Sequence, residues 1–119
     1  MAGTTDVTTV VFNGIGTTTI SGDITTSAGL TFNEATTLAA DATIESPTLS
    51  FTSTIGGNFA LTANVSGTTT FGNTVNIGSL TTDAAGDTAV NANITTTGNQ
   101  TFNDAVTIGA NRTFTAVDL

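Results

Sequence analysis

Residues 94–114 read ITTTGNQTFNDAVTIGANRTF, and residues 24–44 read ITTSAGLTFNEATTLAADATI, nearly the same text 70 positions earlier. Ten of the 21 aligned positions are identical, and most of the others exchange like for like: Asp104 for Glu34, Ile108 for Leu38, Asn111 for Asp41 and Phe114 for Ile44. A third, partial copy at 70–77, TFGNTVNI, keeps the same frame of a Phe, a small polar corner and an aliphatic residue six positions after the Phe. Text that repeats at this grain describes a stack of similar units, so the repetition sets the architecture before any other feature is read.

Around these copies the chain breaks into very short β-forming runs. VTTVVF at 7–12 ends at Asn13-Gly14, TTTI at 17–20 closes at Ser21-Gly22-Asp23, and inside the first copy LTF, ATTL and ATI alternate with corners at Asn33-Glu34 and Ala39-Ala40-Asp41. Runs of three to five residues with such corners are too short to pair as hairpins. They suit a coil in which each strand pairs with its equivalent one turn away. Taking the aliphatic residue that closes each turn, Ile24 to Ile44 is 20 residues, Ile44 to Val65 is 21 and Ile94 to Phe114 is 20. The 29 residues from Val65 to Ile94 are irregular, and 78–87 reads as an added half-turn or excursion. The expected fold is therefore all-β: a right-handed parallel β-solenoid, or β-helix, of about five coils of ~20 residues, on the order of 25 Å tall.

Composition agrees with a single domain over 1–119, with residues 1–5 expected to stand apart as a disordered or appended leader. Thr supplies 31 of the 119 residues, which with Val and Ile biases the backbone towards strand. The seven aromatic residues are all Phe, so the interior must be built from Phe, small β-branched and aliphatic side chains. Regularly spaced apolar residues argue against a disordered chain. Nine acidic residues stand against the single Arg112, for a net charge of −8. This balance excludes nucleic acid and anionic lipid, which need a basic footprint. No run is long enough for membrane insertion, and the first residues lack the basic and apolar regions of a signal peptide. Cys is absent, so no disulfide staples the fold. Pro47, the only proline, falls at a corner, where its missing N–H costs no ladder bond.

Two longer passages, TTTGNQTFNDAVTIGANRTFTA at 95–116 and TTTFGNTVNIGSLTTDAAGDTAVNANITT at 68–96, resemble the repeats of very long bacterial surface proteins of the filamentous-haemagglutinin and giant-adhesin type. The resemblance covers about 12–116. It implies a parallel β-solenoid, export across the envelope and a role as a stalk or fibre at the cell surface.

Candidate residues divide into three groups. Phe32, Phe71 and Phe102 share a repeat position, followed by Leu38, Ile77 and Ile108. With Ile44 and Ile94 they form the expected inward ladder, since a recurring Phe at one coil position is ordinarily core and not a ligand platform. The acids are the only candidates for chemistry: Glu34 and Asp104 at equivalent corners, Asp41 matched by Asn111, and Asp83 and Asp87 in the irregular stretch. Polysaccharide-cleaving β-helices bring acids to one face, usually beside basic residues, and only Arg112 could serve. With no His, Cys, Lys, Tyr or Trp, hydroxyls have nothing to activate them. No enzyme activity and no cofactor are expected. Calcium is expected only casually, because neither a glycine-rich calcium repeat nor an EF-hand spacing occurs. The sequons at Asn64, Asn93, Asn99 and Asn111 are what chance gives in a chain so rich in Asn and Thr.

The third group comprises the ends. No capping helix can be read, so the uncapped β-forming termini, with Val7, Val10 and Phe12 at one end and Thr113, Phe114, Thr115 and Val117 at the other, are expected to be self-assembly edges. The partners that follow are further copies or repeats of the chain, stacked head to tail, and a host or neighbouring cell surface, as in a biofilm. The expected function is an extracellular structural or adhesive element. The alternative is an ice-binding solenoid, raised by the Thr runs at 17–19, 68–70 and 95–97, which would need a Thr-x-Thr pair in register on every coil.

Overall fold

In each short run, residues of one parity are large and apolar or β-branched, and burying that parity turns the other outward. The computed structural model describes residues 10–12, 16–27 and 29–117. The first coil comprises β1 (Val10–Phe12), β2 (Thr17–Ile20) and β3 (Ile24–Thr25). The second comprises β4 (Leu30–Phe32), β5 (Ala35–Leu38) and β6 (Ala42–Ser46), and the third β7 (Leu49–Phe51), β8 (Ile55–Gly56) and β9 (Ala60–Val65). The fourth holds β10 (Thr68–Phe71), β11 (Val75–Ile77) and β12 (Ser79–Thr82), and the fifth β13 (Asp87–Val90), β14 (Ile94–Thr96) and β15 (Gln100–Phe102). A sixth begins with β16 (Ala105–Ile108) and β17 (Phe114–Thr115).

Each strand pairs in parallel with the strand three places on, which builds a β-solenoid of about five turns and no helix among the described residues. Face 1 is β1-β4-β7-β10-β13-β16, face 2 is β2-β5-β8-β11-β14-β17, and face 3 is β3-β6-β9-β12-β15. The core lies between the three faces as columns. Face 1 contributes Phe32, Phe51, Phe71 and Val90, face 2 Ile55, Val75 and Ile94, and face 3 Ile24, Ile44 and Ala63, all buried. The Phe32 and Phe51 rings lie 4.9 Å apart and 7° from parallel, and Phe51 and Phe71 5.8 Å apart and 1° from parallel. A ladder spacing of about 4.8 Å imposes such stacking on any aromatic column.

Of the expected ladder, Phe32, Leu38, Ile44, Phe71, Ile77 and Ile94 are buried. Two members differ. Phe102 does not share the column of Phe32 and Phe71: it pairs with Thr82 on face 3, above Ala63, Ile44 and Ile24, while Phe51 takes the place beside Phe32. The cause is the unit of repetition. Paired positions are 18 to 20 residues apart, and the 70-residue step carries β4 onto β15, eleven strand places along, or three coils and two further sides. The repeated text encodes one side of the coil and its corner, not a whole turn. Ile108 does stand in the Phe71–Val90 column, but it is 51% exposed, because β16 ends its sheet and nothing lies above it among the described residues.

The irregular stretch is also regular in space. Ala63, not Val65, is the partner of Ile44, and Val65 pairs with Ser46. The expected excursion at 78–87 is mostly strand, leaving only the corner 83–86. That corner closes on Gly86, whose φ is +69° and where a Cβ would sit 1.9 Å from the Gly67 carbonyl oxygen.

The stack predicts a sharp contrast between two phenylalanines. Phe51→Ala should cost about 3–5 kcal/mol in urea unfolding, as a large cavity in a close-packed core does. Phe59→Ala, at a position 40% exposed, should change stability by no more than about 0.5 kcal/mol. Equal losses would contradict the column.

Candidate functional site at the corners and the open end

The acids do not converge. Each is held at a corner or strand end and spends its carboxylate on a neighbouring coil. Asp23 Oδ1 accepts the Thr43 N–H and Asp41 Oδ1 the Ala60 N–H, both at 2.9 Å, so two acids of the same corner row each cap the start of the face 3 strand one coil on. Asn93 Oδ1 does the same for the Thr113 N–H at 3.0 Å. Asp83 Oδ1 accepts the Val65 N–H at 3.2 Å, and Asp87 Oδ1 the Thr68 hydroxyl at 2.7 Å. Glu34 takes the Thr18 hydroxyl on Oε1, and its backbone carbonyl takes the Thr36 hydroxyl at 3.2 Å. These bonds satisfy N–H and O–H groups that a strand ladder leaves over at its bends.

Asp104 carries the densest of these networks. Its Oδ1 accepts the Thr82 hydroxyl and its Oδ2 the Thr88 hydroxyl, each at 2.8 Å, so one carboxylate clamps both sides of the corner 83–86 in the coil below. Both threonines are fully buried. Thr82 Oγ1 also accepts the Asn103 N–H at 3.2 Å, and Asn103 Nδ2 donates to the Thr82 carbonyl at 2.7 Å. The pairing of Glu34 with Asp104 read from the repeat is thus a pairing of tasks: each corner acid receives a buried threonine hydroxyl.

Among the described residues no group of three His, Cys, Asp or Glu side chains could hold a metal ion. Arg112 is exposed, away from any assembled set of acids. No helix of the described residues is long and apolar enough to cross a membrane.

The other candidate region is the final coil. Strands β15, β16 and β17 are the last in their sheets and offer free edges. Phe102, Val106 and Phe114 are only partly buried against the core, with the Phe102 and Phe114 rings 5.8 Å apart, and Ile108 and Val117 are exposed at 51% and 76%. Of the expected edge residues, Phe114 and Thr115 form β17, Thr113 donates to Asn93, and the Val117 N–H donates to the Gly98 carbonyl at 3.1 Å. Val10 and Phe12 lie in β1, the first strand of face 1, and Val7 lies outside the described residues. Sequence reasoning missed β16 as an edge, although AVTI at 105–108 repeats ATTL at 35–38 and could have been read as the start of a new coil.

It also missed Gln100, which interrupts the Ala42–Leu61–Leu80 column of face 3 with a buried amide. Its Nε2 donates to the carbonyls of Thr115 (2.9 Å) and Ile94 (3.3 Å) and to Thr96 Oγ1 (3.3 Å), tying β15 to face 2, while its Oε1 is buried without a partner.

On the outer surfaces, face 3 carries one unbroken threonine column, Thr43, Thr62, Thr81 and Thr101. Two residues on along each strand path stand Glu45, Asn64, Asp83 and Asn103 in place of second threonines. Faces 1 and 2 interrupt their outer threonines with Ser50 and Ala89, and with Gly56 and Asn76.

No family model, no curated protein and no solved structure matches the chain.

The clamp makes Asp104 a stability residue. Asp104→Ala strands two buried hydroxyls and should lower unfolding stability by about 2 kcal/mol, whereas Asp104→Asn, which keeps an acceptor, should lose about half as much. Denaturation of both variants checks this, and an Asp104→Ala protein as stable as the parent would contradict the clamp.

Proposed function

We propose that the chain is a non-catalytic structural element that stands outside a bacterial cell, as part of a stalk or adhesive fibre, and lengthens by stacking coil on coil. The observation that carries this reading is the final coil: three strand edges lie free above a core column that ends in half-covered Phe102, Val106 and Phe114 and exposed Ile108. An edge of that kind accepts another strand unless something blunts it. The acids support the same reading, since those at the corners are engaged in holding neighbouring coils together. The bacterial surface and the adhesive contact with a host or neighbouring cell rest on the resemblance of 68–116 to large adhesin repeats. Nucleic acid and membrane insertion have no place in it, given a net charge of −8.

A second reading, ice binding, is favoured by the unbroken column Thr43, Thr62, Thr81 and Thr101. It ranks below the first because acidic and amide side chains flank that column. A thermal hysteresis gap abolished by Thr81→Lys would reverse the order.

Sedimentation velocity across a concentration series, with electron microscopy, tests stacking. The parent chain should form rods whose length grows with concentration. Ile108→Asp, at an exposed position, should keep its circular dichroism spectrum and remain monomeric. A parent chain that stays monomeric at high concentration overturns the proposal.

A further inference from the structure

The end-to-end contact has a definite register, and this inference rests on the stacking reading above. We infer that a second copy of this chain seats its first coil on the last coil of the copy below, β1 on β16 and β2 on β17, with Thr18 opposite Phe114 and Thr19 opposite Thr115. On face 1 the same seating sets Val10 opposite Val106 and Phe12 opposite Ile108.

The partner follows from the interface itself. Inside the chain, coil on coil is already a parallel pairing between a strand and its third successor, repeated from end to end. The upper edge of the last coil is one half of that interface and the lower edge of the first coil is the other. Both ends keep the same strand direction, so the contact is head to tail and leaves the same two edges free for the next copy.

The register follows from the columns. On face 2, Thr18, Thr36, Ile55, Val75, Ile94 and Phe114 form one inward line, and Thr19, Thr37, Gly56, Asn76, Thr95 and Thr115 one outward line. Continuing both lines into the next copy sets buried Thr18 after half-buried Phe114 and exposed Thr19 after exposed Thr115. A slip of one residue would exchange the two lines and turn the inward set to water. A slip of two keeps the alternation but offsets every corner by about 6.6 Å, two strand rises, beyond reach of the side-chain caps that join successive corners.

The strand count closes on the same seating. Faces 1 and 2 have six strands each and face 3 has five. When β16 meets β1 and β17 meets β2, one strand position is left on face 3, between β15 below and β3 above, and all three faces then repeat every six strands. The chain leads towards this position from below, since Val117 is already bonded onto the corner of the last coil. The strand beneath it, β15, holds the buried, unpartnered Oε1 of Gln100. A six-strand repeat gives the rod an axial period of about 29 Å.

The chain contains no cysteine, so paired cysteines report the register without background. In the seating inferred, positions 19 and 115 of successive copies are adjacent on neighbouring strands, about 4.8 Å apart at Cα, within the disulfide range. In one chain they are five strand spacings apart and cannot bond to each other. Oxidised Thr19→Cys/Thr115→Cys protein should give a ladder of covalent multimers on a non-reducing gel. Thr17→Cys/Thr115→Cys, two residues out of register, should give less than a tenth as much. Unmodified rods should show the axial period in averaged micrographs. Rods that form but cross-link equally through both pairs, or only through the 17/115 pair, overturn the register and leave stacking standing. Rods that cross-link through neither pair and show a different period do the same. A chain that never forms rods removes both.

Discussion

Every part of this molecule depends on the parallel backbone ladder between coils. A strand of three or four residues cannot pay for its own ordering, and no hairpin partner lies beside it in sequence. It is stable only because its N–H and C=O groups are met by equivalent strands above and below. That constraint fixes the spacing of everything carried on the strands, so like side chains fall into columns and the choice of residue at one level sets the contact at the next. The stacked rings of Phe32, Phe51 and Phe71 are a product of this spacing.

The bends are where a ladder would fail, and there the polar residues are concentrated. An aspartate or asparagine at a corner reaches along the stack axis to a backbone N–H or a threonine hydroxyl of the adjacent coil, as Asp23, Asp41 and Asn93 do. At one corner the reach is two coils: Thr97 Oγ1 donates to Asn58 Oδ1 at 3.1 Å, 39 residues back, past Gly78, which has no side chain to intervene. The low count of charges and the high count of hydroxyls therefore belong to one design, in which buried threonines need acceptors and corner acids need donors.

Much of this was legible in the sequence, and the reasons are local. Strand and corner could be told apart because alternation and turn residues are properties of a few adjacent positions. The buried positions Phe32, Leu38, Ile44, Phe71, Ile77 and Ile94 were visible for the same reason. Which residues stack on which was harder, because side, corner and coil all vary by a residue or so, and a 70-residue similarity looks like a whole number of turns when it is three and two thirds. Phe51 was passed over for Phe102 on that account. Ile108 was misplaced for a different cause: its pattern is inward, and its exposure depends on what stands beyond it, which no local pattern encodes. Gln100 and the Asp104 clamp were out of reach because they join residues brought together only by the winding.

The two-thirds turn has an evolutionary consequence. Copying a 70-residue passage does not lengthen a stripe along the rod; it rotates the copied surface by one side of the triangle. The outward threonine of LTF at 30–32 lies on face 1, and its copy in QTF at 100–102 lies on face 3. Duplication in such a gene winds any surface feature around the rod like the thread of a screw, and only the third copying step returns it to the side where it began. A patch that must stay on one side has to be written into each coil separately, by point mutation, and the lone threonine column of face 3 is the one outer row that has been kept unbroken in this way.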